Sequence, residues 1–430
     1  MSYAVFTPDM KKTHTVLVPG MLAIHFRMFP SIFKTGGYNV EVLYNEGEDV
    51  VEEGLSHVHN DTCYPALLVI GQMIAALKSG KYDLNKVALA ITQTGGGCRA
   101  SNYIFLLRKA LEQEGWDHIP VLSINFSGLE KQNTVELTLP LAKKLVYAFL
   151  YGDAMMWLKN QVKPYEKHAG DSDQLIDQLI SELNEKFANN RYENAKAFYK
   201  DLIERFKAIP RHHQKKIRVG IVGEIYMKYA PLGNHHLEDF LIEEGFEPVL
   251  SGVTDFGLYC LENSRVDHRY YHRHALTFPF LTLAENILVR MQETFARLIE
   301  EDGTFHSPDR FKQVIRNADG FIDQGVKMGE GWLLTAEVVS LIKEGVSNII
   351  SAQPFGCLPN HIVAKGMAKK IKDVYPQSNL VAIDYDPSAS RVNQENRIRL
   401  MLANAKLSME ELEDAKDTAY DYLSAEKRYA

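Results

Sequence analysis

Cysteine is scarce in this chain, with four residues in 430, which excludes a disulfide scaffold. No block of basic residues occurs and the net charge is −7, which argues against nucleic-acid and anionic-membrane partners. No apolar run is long enough to cross a bilayer, and Met1 to Thr15 carries no basic region followed by an apolar core, so the expected location is the cytoplasm. No repeat of solenoid type appears. The two glycine loops, Gly95-Gly96-Gly97 and Gly220-Ile221-Val222-Gly223, match neither the spaced dinucleotide fingerprint nor the phosphate loop ending in Lys-Ser/Thr; tight turns after strands explain them better. Closely spaced cysteine pairs, the usual mark of structural zinc, are also missing.

What is present is a globular composition, 46% hydrophobic and 24% charged, in a chain too long for one ordinary core. Short apolar runs such as Thr15–Pro19, Tyr38–Leu43, Lys86–Thr92 and Ile119–Phe126 alternate with helical spacing over Met21–Phe33, Pro65–Lys78 and Ser101–Gly115. The pattern restarts at Lys216–Glu224 and continues through a helix at His236–Gly245, a strand at Glu247–Val253, helices at Phe278–Glu300, Pro308–Ile315 and Trp332–Lys343, and strands at Asn348–Ala352 and Asn379–Asp384. The expected fold class is α/β, with two doubly wound, mainly parallel-sheet domains joined by a helical segment. The expected boundaries are 1–140 for a first α/β domain with Cys63 and Cys98, 141–212 for a helical linking and covering segment, 213–408 for a second α/β domain with Cys260 and Cys357, and 409–430 for a helical tail. The linking segment is rich in Glu, Lys, Gln and Asn, which reads as a solvated face.

The cysteines stand in telling places. Cys357 lies in Gln353-Pro354-Phe355-Gly356-Cys357-Leu358-Pro359-Asn360-His361, between an apolar strand and a helix, where open α/β sheets place their ligands. Its prolines stiffen the loop, and Gly356 permits a backbone angle that other residues resist. Cys98, after the glycine triplet, repeats the strand, glycine loop, thiol, helix arrangement. Cys63 precedes Tyr64-Pro65 at a predicted helix N-terminus, where the helix dipole favours a thiolate. Cys260 follows the strand Glu247–Val253. Doubly wound topology would bring each domain's pair to one sheet edge, and a cleft between domains could gather all four around an iron-sulfur cluster; the competing reading is four buried apolar thiols.

Other candidates are weaker. The pairs His212-His213 and His235-His236 and the run His268 to His274 point their neighbours in different directions, which suits surface positions. Glu224, Asp384 and Asp386 sit at predicted strand ends, where they could polarise a substrate, but capping and turn formation explain them more simply. No catalytic acid or base is assigned.

The runs His59-Asn60-Asp61-Thr62-Cys63-Tyr64-Pro65, Thr92-Gln93-Thr94-Gly95-Gly96-Gly97-Cys98-Arg99 and Gln353 to His361 resemble the 2-hydroxyacyl-CoA dehydratase family. The nearest likeness is to the dehydratase-like carboxyl part of very large activase-fused proteins, and it extends from about Phe6 to Arg397. The resemblance implies an oxygen-sensitive 4Fe-4S cluster held by Cys63, Cys98 and Cys357, with Cys260 as a fourth ligand on a weaker motif. It implies a separate ATP-dependent activase that delivers a low-potential electron, and a 2-hydroxyacyl thioester that loses hydroxide from a ketyl radical. The implied activity is that of a dehydratase-like lyase or a reductase of small molecules; an electron carrier and a clusterless structural subunit are the alternatives. No activase domain is recognisable in this chain, and a fourth cysteine ligand would close the iron to which substrate binds in family members. A homodimer is expected.

Overall fold

The computed structural model describes residues 3–409 apart from 60, 94, 96, 126–129, 131 and 274–275. The expected tail at 409–430 therefore lies, beyond its first residue, outside the described residues, as do His274 and the end of the strand expected to reach Phe126. The chain is α/β, with two all-parallel four-stranded sheets. In the first, β1 (Thr15–Pro19), β2 (Asn39–Leu43), β3 (Val87–Thr92) and β4 (Val121–Ile124) lie in the order β2-β1-β3-β4. In the second, β5 (Arg218–Gly223), β6 (Glu247–Leu250), β7 (Asn348–Pro354) and β8 (Asn379–Tyr385) lie in the order β6-β5-β7-β8. The two orders are the same. Each reverses direction beside its first strand, between β1 and β3 and between β5 and β7, which opens a crevice at the carboxyl edge.

The central strands are buried because helices cover both of their faces: Val87 to Ile91 of β3 is a continuous apolar run, and Ile349 to Pro354 of β7 is buried without interruption, Ser351 and Gln353 included. Between the sheets run the helices Leu139–Val162, Asp171–Ala188 and Ala195–Lys207. Their apolar residues recur at helical spacing, as in Ile176, Leu179, Ile180, Leu183 and Phe187, and the charged remainder faces outward. Asn194 opens the third by accepting the Ala197 N–H at 3.2 Å. Tyr199 then meets Phe295 of the helix Phe278–Asp302, ring centroids 5.2 Å apart. One hydrophobic core runs from Leu17 in the first sheet through Tyr151 and Tyr199 to Ile350 and Tyr385 in the second. No helix among the described residues is long and apolar enough to cross a membrane.

Three local expectations need correction. The segment expected to be one helix over Met21–Phe33 is a 3-10 turn, His25–Met28, followed by a separate helix, Phe29–Lys34, because Pro30 suits a first turn. The helix expected from Pro308 begins at Phe311. The strand expected to reach Val253 stops at Leu250; Ser251-Gly252 turns the chain into a helix, Thr254–Tyr271, that carries Cys260.

Candidate metal centre

Three cysteines sit directly in front of helices at the carboxyl edges of the sheets. Beyond β3, the Gln93 side chain donates to the Ser101 carbonyl at 2.9 Å and accepts from Ser123 Oγ at 2.9 Å, while the Gly95 N–H donates to Ser101 Oγ. The loop is thereby folded back on the helix start, and Cys98 precedes the 3-10 turn Arg99–Asn102 that leads into Tyr103–Gln113. Beyond β7, the Phe355 N–H donates to the Tyr385 carbonyl, Gly356 takes φ +76°, and the His361 N–H donates to the Cys357 carbonyl as the next helix opens. Asn360 Nδ2 donates to Cys357 Sγ at 3.2 Å. Cys63 is the N-cap of Tyr64–Lys78, and its sulfur shares a hydrogen bond of 2.8 Å with the Tyr103 hydroxyl.

These loops come from different domains and touch. The Tyr64 N–H donates to the Phe355 carbonyl at 3.2 Å. Gly356 lies so close to Cys63 that a β-carbon on it would stand 3.3 Å from the Cys63 Cα. A β-carbon on Gly329 would stand 2.8 Å from Pro359 and 3.9 Å from the Cys98 Cβ. Arg99 donates to the Asp61 carbonyl, joining the Cys98 and Cys63 loops. Cys63, Cys98 and Cys357 are thus brought to one place.

Cys260 differs. It lies in the second turn of Thr254–Tyr271, exposed on the helix, and not in a strand-end loop. The apolar run Glu247–Val253 ended sooner than expected, so the helix took Cys260 with it. It remains electrostatically linked to the same place, because Glu330, which acts on the Cys357 thiol, also acts on Cys260.

Glu330 forms a pair with Glu224, and sequence reasoning missed it. Glu224 follows β5, accepts the Met227 N–H at 2.8 Å and so does cap a helix, Ile225–Tyr229. Glu330 accepts the Ile225 N–H at 3.1 Å and is buried. Burial and then Glu330 push the Glu224 carboxyl up to about 8; burial also raises Glu330, against the pull of the Ile225 N–H. The available signal was Gly329-Glu330-Gly331, an acid between two glycines ahead of the apolar helix Trp332–Lys343.

Burial dominates the thiols as well. It pushes Cys63 up to about 11 against the Tyr103 hydrogen bond, with Glu224 adding to the rise. It raises Cys357 further, with Glu330 and Glu224 behind it. Surrounding protein, then Glu330, carries Cys260 up to about 12 even though the residue reaches solvent. The thiolate expected for Cys63 from its helix N-terminus is therefore not the resting form: desolvation outweighs the dipole.

The donor set fits a cationic group. Burial raises Cys63, Cys357, Glu224 and Glu330 toward their protonated forms, and metal binding displaces such protons. Asn360 Oδ1, Gln353 Oε1 and the Tyr226 hydroxyl are buried without a partner in the same region. No three of the sulfurs lie within 4.8 Å of one another; among the described residues the one metal-type group that close is Glu53, His57 and Glu114. That trio is an ion-pair cluster, since Lys78 bonds both carboxylates at 2.8 and 2.9 Å. The cysteines do not meet the spacing of a single-ion site.

The remaining candidates have structural partners. Asp386 holds its turn by accepting the Ser388 N–H at 2.7 Å. Asp384 accepts from the Gln353 amide and faces Lys365 at 3.5 Å. His236 pairs with Glu46 at 2.8 Å, and both His235 and His236 take left-handed backbone angles. The Gly223 turn presses against the Ala352 carbonyl with φ +138°. No protein-family model matches the chain, and no curated protein matches it.

Proposed function

We propose that the chain is an iron-sulfur redox protein of the 2-hydroxyacyl-CoA dehydratase family, holding a 4Fe-4S cluster on Cys63, Cys98 and Cys357, with Cys260 as the candidate fourth ligand. In this reading it works in the cytoplasm as a homodimer, takes low-potential electrons from a separate ATP-dependent activase, and acts on an acyl-CoA or another small molecule. The observation that carries it is the meeting of three thiol loops from two sheets at their carboxyl edges. Such a cluster, when bound, supplies a one-electron donor and, at an iron without a cysteine, a Lewis-acid position. The protein's own part is to hold and tune the sulfurs: Asn360 donates to Cys357, and Tyr103 is positioned to donate to Cys63, which favours their anionic forms. Cys260, exposed on its helix, is the weakest of the four ligands, and a cluster without it keeps three cysteines and an open corner.

Anaerobic purification with iron and sulfide counting, then electron paramagnetic resonance of the reduced protein, tests the proposal. Cys98→Ser and Cys357→Ser should lose the cluster, whereas Cys260→Ser should retain it. Protein without iron or sulfide ends the reading and leaves a structural subunit, which the place of Cys63 in the hydrophobic core would favour. Turnover with an activase, ATP and a panel of thioesters separates an enzyme from an electron carrier.

A further inference from the structure

A cavity opens where the helices Leu139–Val162, Ala195–Lys207 and Phe278–Asp302 cover the second sheet. It holds about 70 Å³ of space open to water-sized molecules. Its wall combines Tyr199, Phe295 and Val222 with five carboxyl side chains, Asp153, Asp255, Asp309, Glu337 and Glu344.

Most of these acids already have partners. Asp153 is bonded to His25 Nε2 at 2.8 Å and accepts the Val253 and Thr254 N–H groups at 2.9 Å each, and Gly252 admits this approach because a β-carbon there would meet the Asp153 carboxylate. Glu337 holds Lys228 at 2.7 Å and Ser251 at 2.7 Å. Asp309 and Glu344 lie against each other, and burial raises both carboxyls.

Asp255 is the exception. It is buried, and its one hydrogen bond on the cavity side comes from the Gln292 amide at 2.5 Å. Beside it Thr254 Oγ1 and Gln292 Oε1 are buried with no partner, although Thr254 is only 5% exposed. A hydroxyl oxygen, an amide oxygen and a carboxylate therefore line one side of a cavity whose wall is otherwise largely apolar. No sulfur or nitrogen acceptor stands among them, and anionic ligands are excluded by the surrounding acids. The space is too small for a metabolite with a side chain.

We propose that this cavity binds one small hard cation through oxygen, with Asp255, Thr254 and Gln292 as its ligands. Oxygen-only coordination suits a hard metal ion, and a divalent ion held by a single carboxylate keeps part of its water shell. The sparse carboxylate convergence agrees, because no three acids here close within 4.8 Å. Ammonium would use the same acceptors. Asp153, Glu337 and the Asp309–Glu344 pair face Asp255 from the neighbouring elements, with Lys228 as the nearest fixed cation, so an arriving positive charge ionises Asp255 and releases its proton. This site is independent of the iron-sulfur proposal.

The test uses the full chain stripped with chelator, with Mg²⁺, Ca²⁺, K⁺ and ammonium titrated separately at an ionic strength held constant by tetramethylammonium chloride. Thermal midpoint and calorimetric binding are the readouts. One cation should raise the midpoint saturably, and below pH 7 its binding heat should vary with the buffer's ionisation enthalpy, as proton release requires. Thr254→Val and Asp255→Asn should each weaken binding by about tenfold or more, while the exposed Asp373→Asn should leave it unchanged. Asp255→Asn matches the shape of the protonated acid and Thr254→Val is nearly isosteric, so both should fold. No response above the ionic-strength baseline would mean that the cavity holds only water, and equal affinity in all three variants would mean adventitious surface binding; either result overturns the proposal.

Discussion

Replacing Gly356 by alanine separates the packing of the cysteine loops from ordinary backbone strain. Gly356 has φ +76°, where a side chain costs about 1–2 kcal/mol. The added methyl would also stand 3.3 Å from the Cys63 Cα and 3.4 Å from the Cys63 N. Those are backbone atoms at the firm start of a buried helix, so they yield less readily than a side-chain tip. Overpacking of this kind adds about 1–3 kcal/mol, giving a total of about 2–5 kcal/mol. Gly245→Ala is the matched control, because Gly245 has φ +90° with nothing within 4 Å of the new methyl. It should show the conformational cost of about 1–2 kcal/mol alone. Urea midpoints of the two variants, measured anaerobically beside iron content, make the comparison. Gly356→Ala should fall further in midpoint and lose iron, and Gly245→Ala should keep its iron. Equal midpoints with equal iron would refute the claim that the Cys357 loop is seated on Cys63.

Glu337→Gln leaves Lys228 charged in a buried site whose two side chains are only 4% and 7% exposed, so the unfolding free energy should drop by about 3–5 kcal/mol; Lys228→Met with Glu337→Leu should recover most of it, and urea denaturation decides. Tyr103→Phe removes the hydrogen bond to Cys63 and should cost about 0.5–1.5 kcal/mol; in metal-free protein Cys63 should then alkylate more slowly near pH 9, since the hydroxyl holds its thiol down, and an unchanged rate would sink the assignment. Asp255 is pushed by burial from 3.8 up to about 7, so between those values the folded chain keeps a proton that the unfolded chain has released. Its contribution is present at the acid end and is lost as pH rises through 7, a span of about 4 kcal/mol at about 1.36 kcal/mol per unit. Asp255→Asn should flatten unfolding free energy against pH over that window, and an unaltered slope would contradict the burial argument.

The parts of the fold set by short-range patterning could be read directly. Val87 to Ile91 is apolar without interruption and Asn348 to Ala352 largely so, because helices cover both faces of their sheets, and Trp332–Lys343 carries the same signal at helical length. The thiol loops were legible for a related reason, since glycine and proline punctuate the chain at the carboxyl edges, where Cys98 and Cys357 lie. Cys260 was misplaced because nothing in Val253-Thr254-Asp255 marks a strand's early end except Gly252, whose freedom is used to admit Asp153 from a helix about a hundred residues away in sequence. The meeting of Glu224 with Glu330 and the Asp255 cavity could not be read, although Glu224 and the Gly329-Glu330-Gly331 run each stood out alone. Both depend on which buried acids meet across elements, and residue spacing carries no record of that.

The shared strand order of the two sheets shows why Glu330 stands where it does. In each sheet the strand beside the crevice is reached through a helix that is buried almost end to end, Tyr64–Lys78 before β3 and Trp332–Lys343 before β7. Each of those strands is followed by a left-handed glycine and a cysteine, Gly97-Cys98 and Gly356-Cys357. The residue that opens the first helix is Cys63; just ahead of the second stands Glu330. The two domains therefore repeat one plan, but at corresponding places one offers a thiol and the other a carboxyl, and Glu224 meets both: it raises the Cys63 thiol and is itself raised by Glu330. The asymmetry can be tested without any metal. Glu330→Ala takes away the acceptor of the Ile225 N–H and should cost about 1–3 kcal/mol. Glu330→Gln keeps an acceptor there, so it should cost less than Glu330→Ala, and both variants, by removing the repulsion on Glu224, should lose less stability than the parent as pH rises through 8. Unfolding curves at pH 6 and pH 9 decide the matter: if glutamine proves as damaging as alanine at both, Glu330 acts as an anion in its own right and not as a hydrogen-bonded counterpart of Cys63.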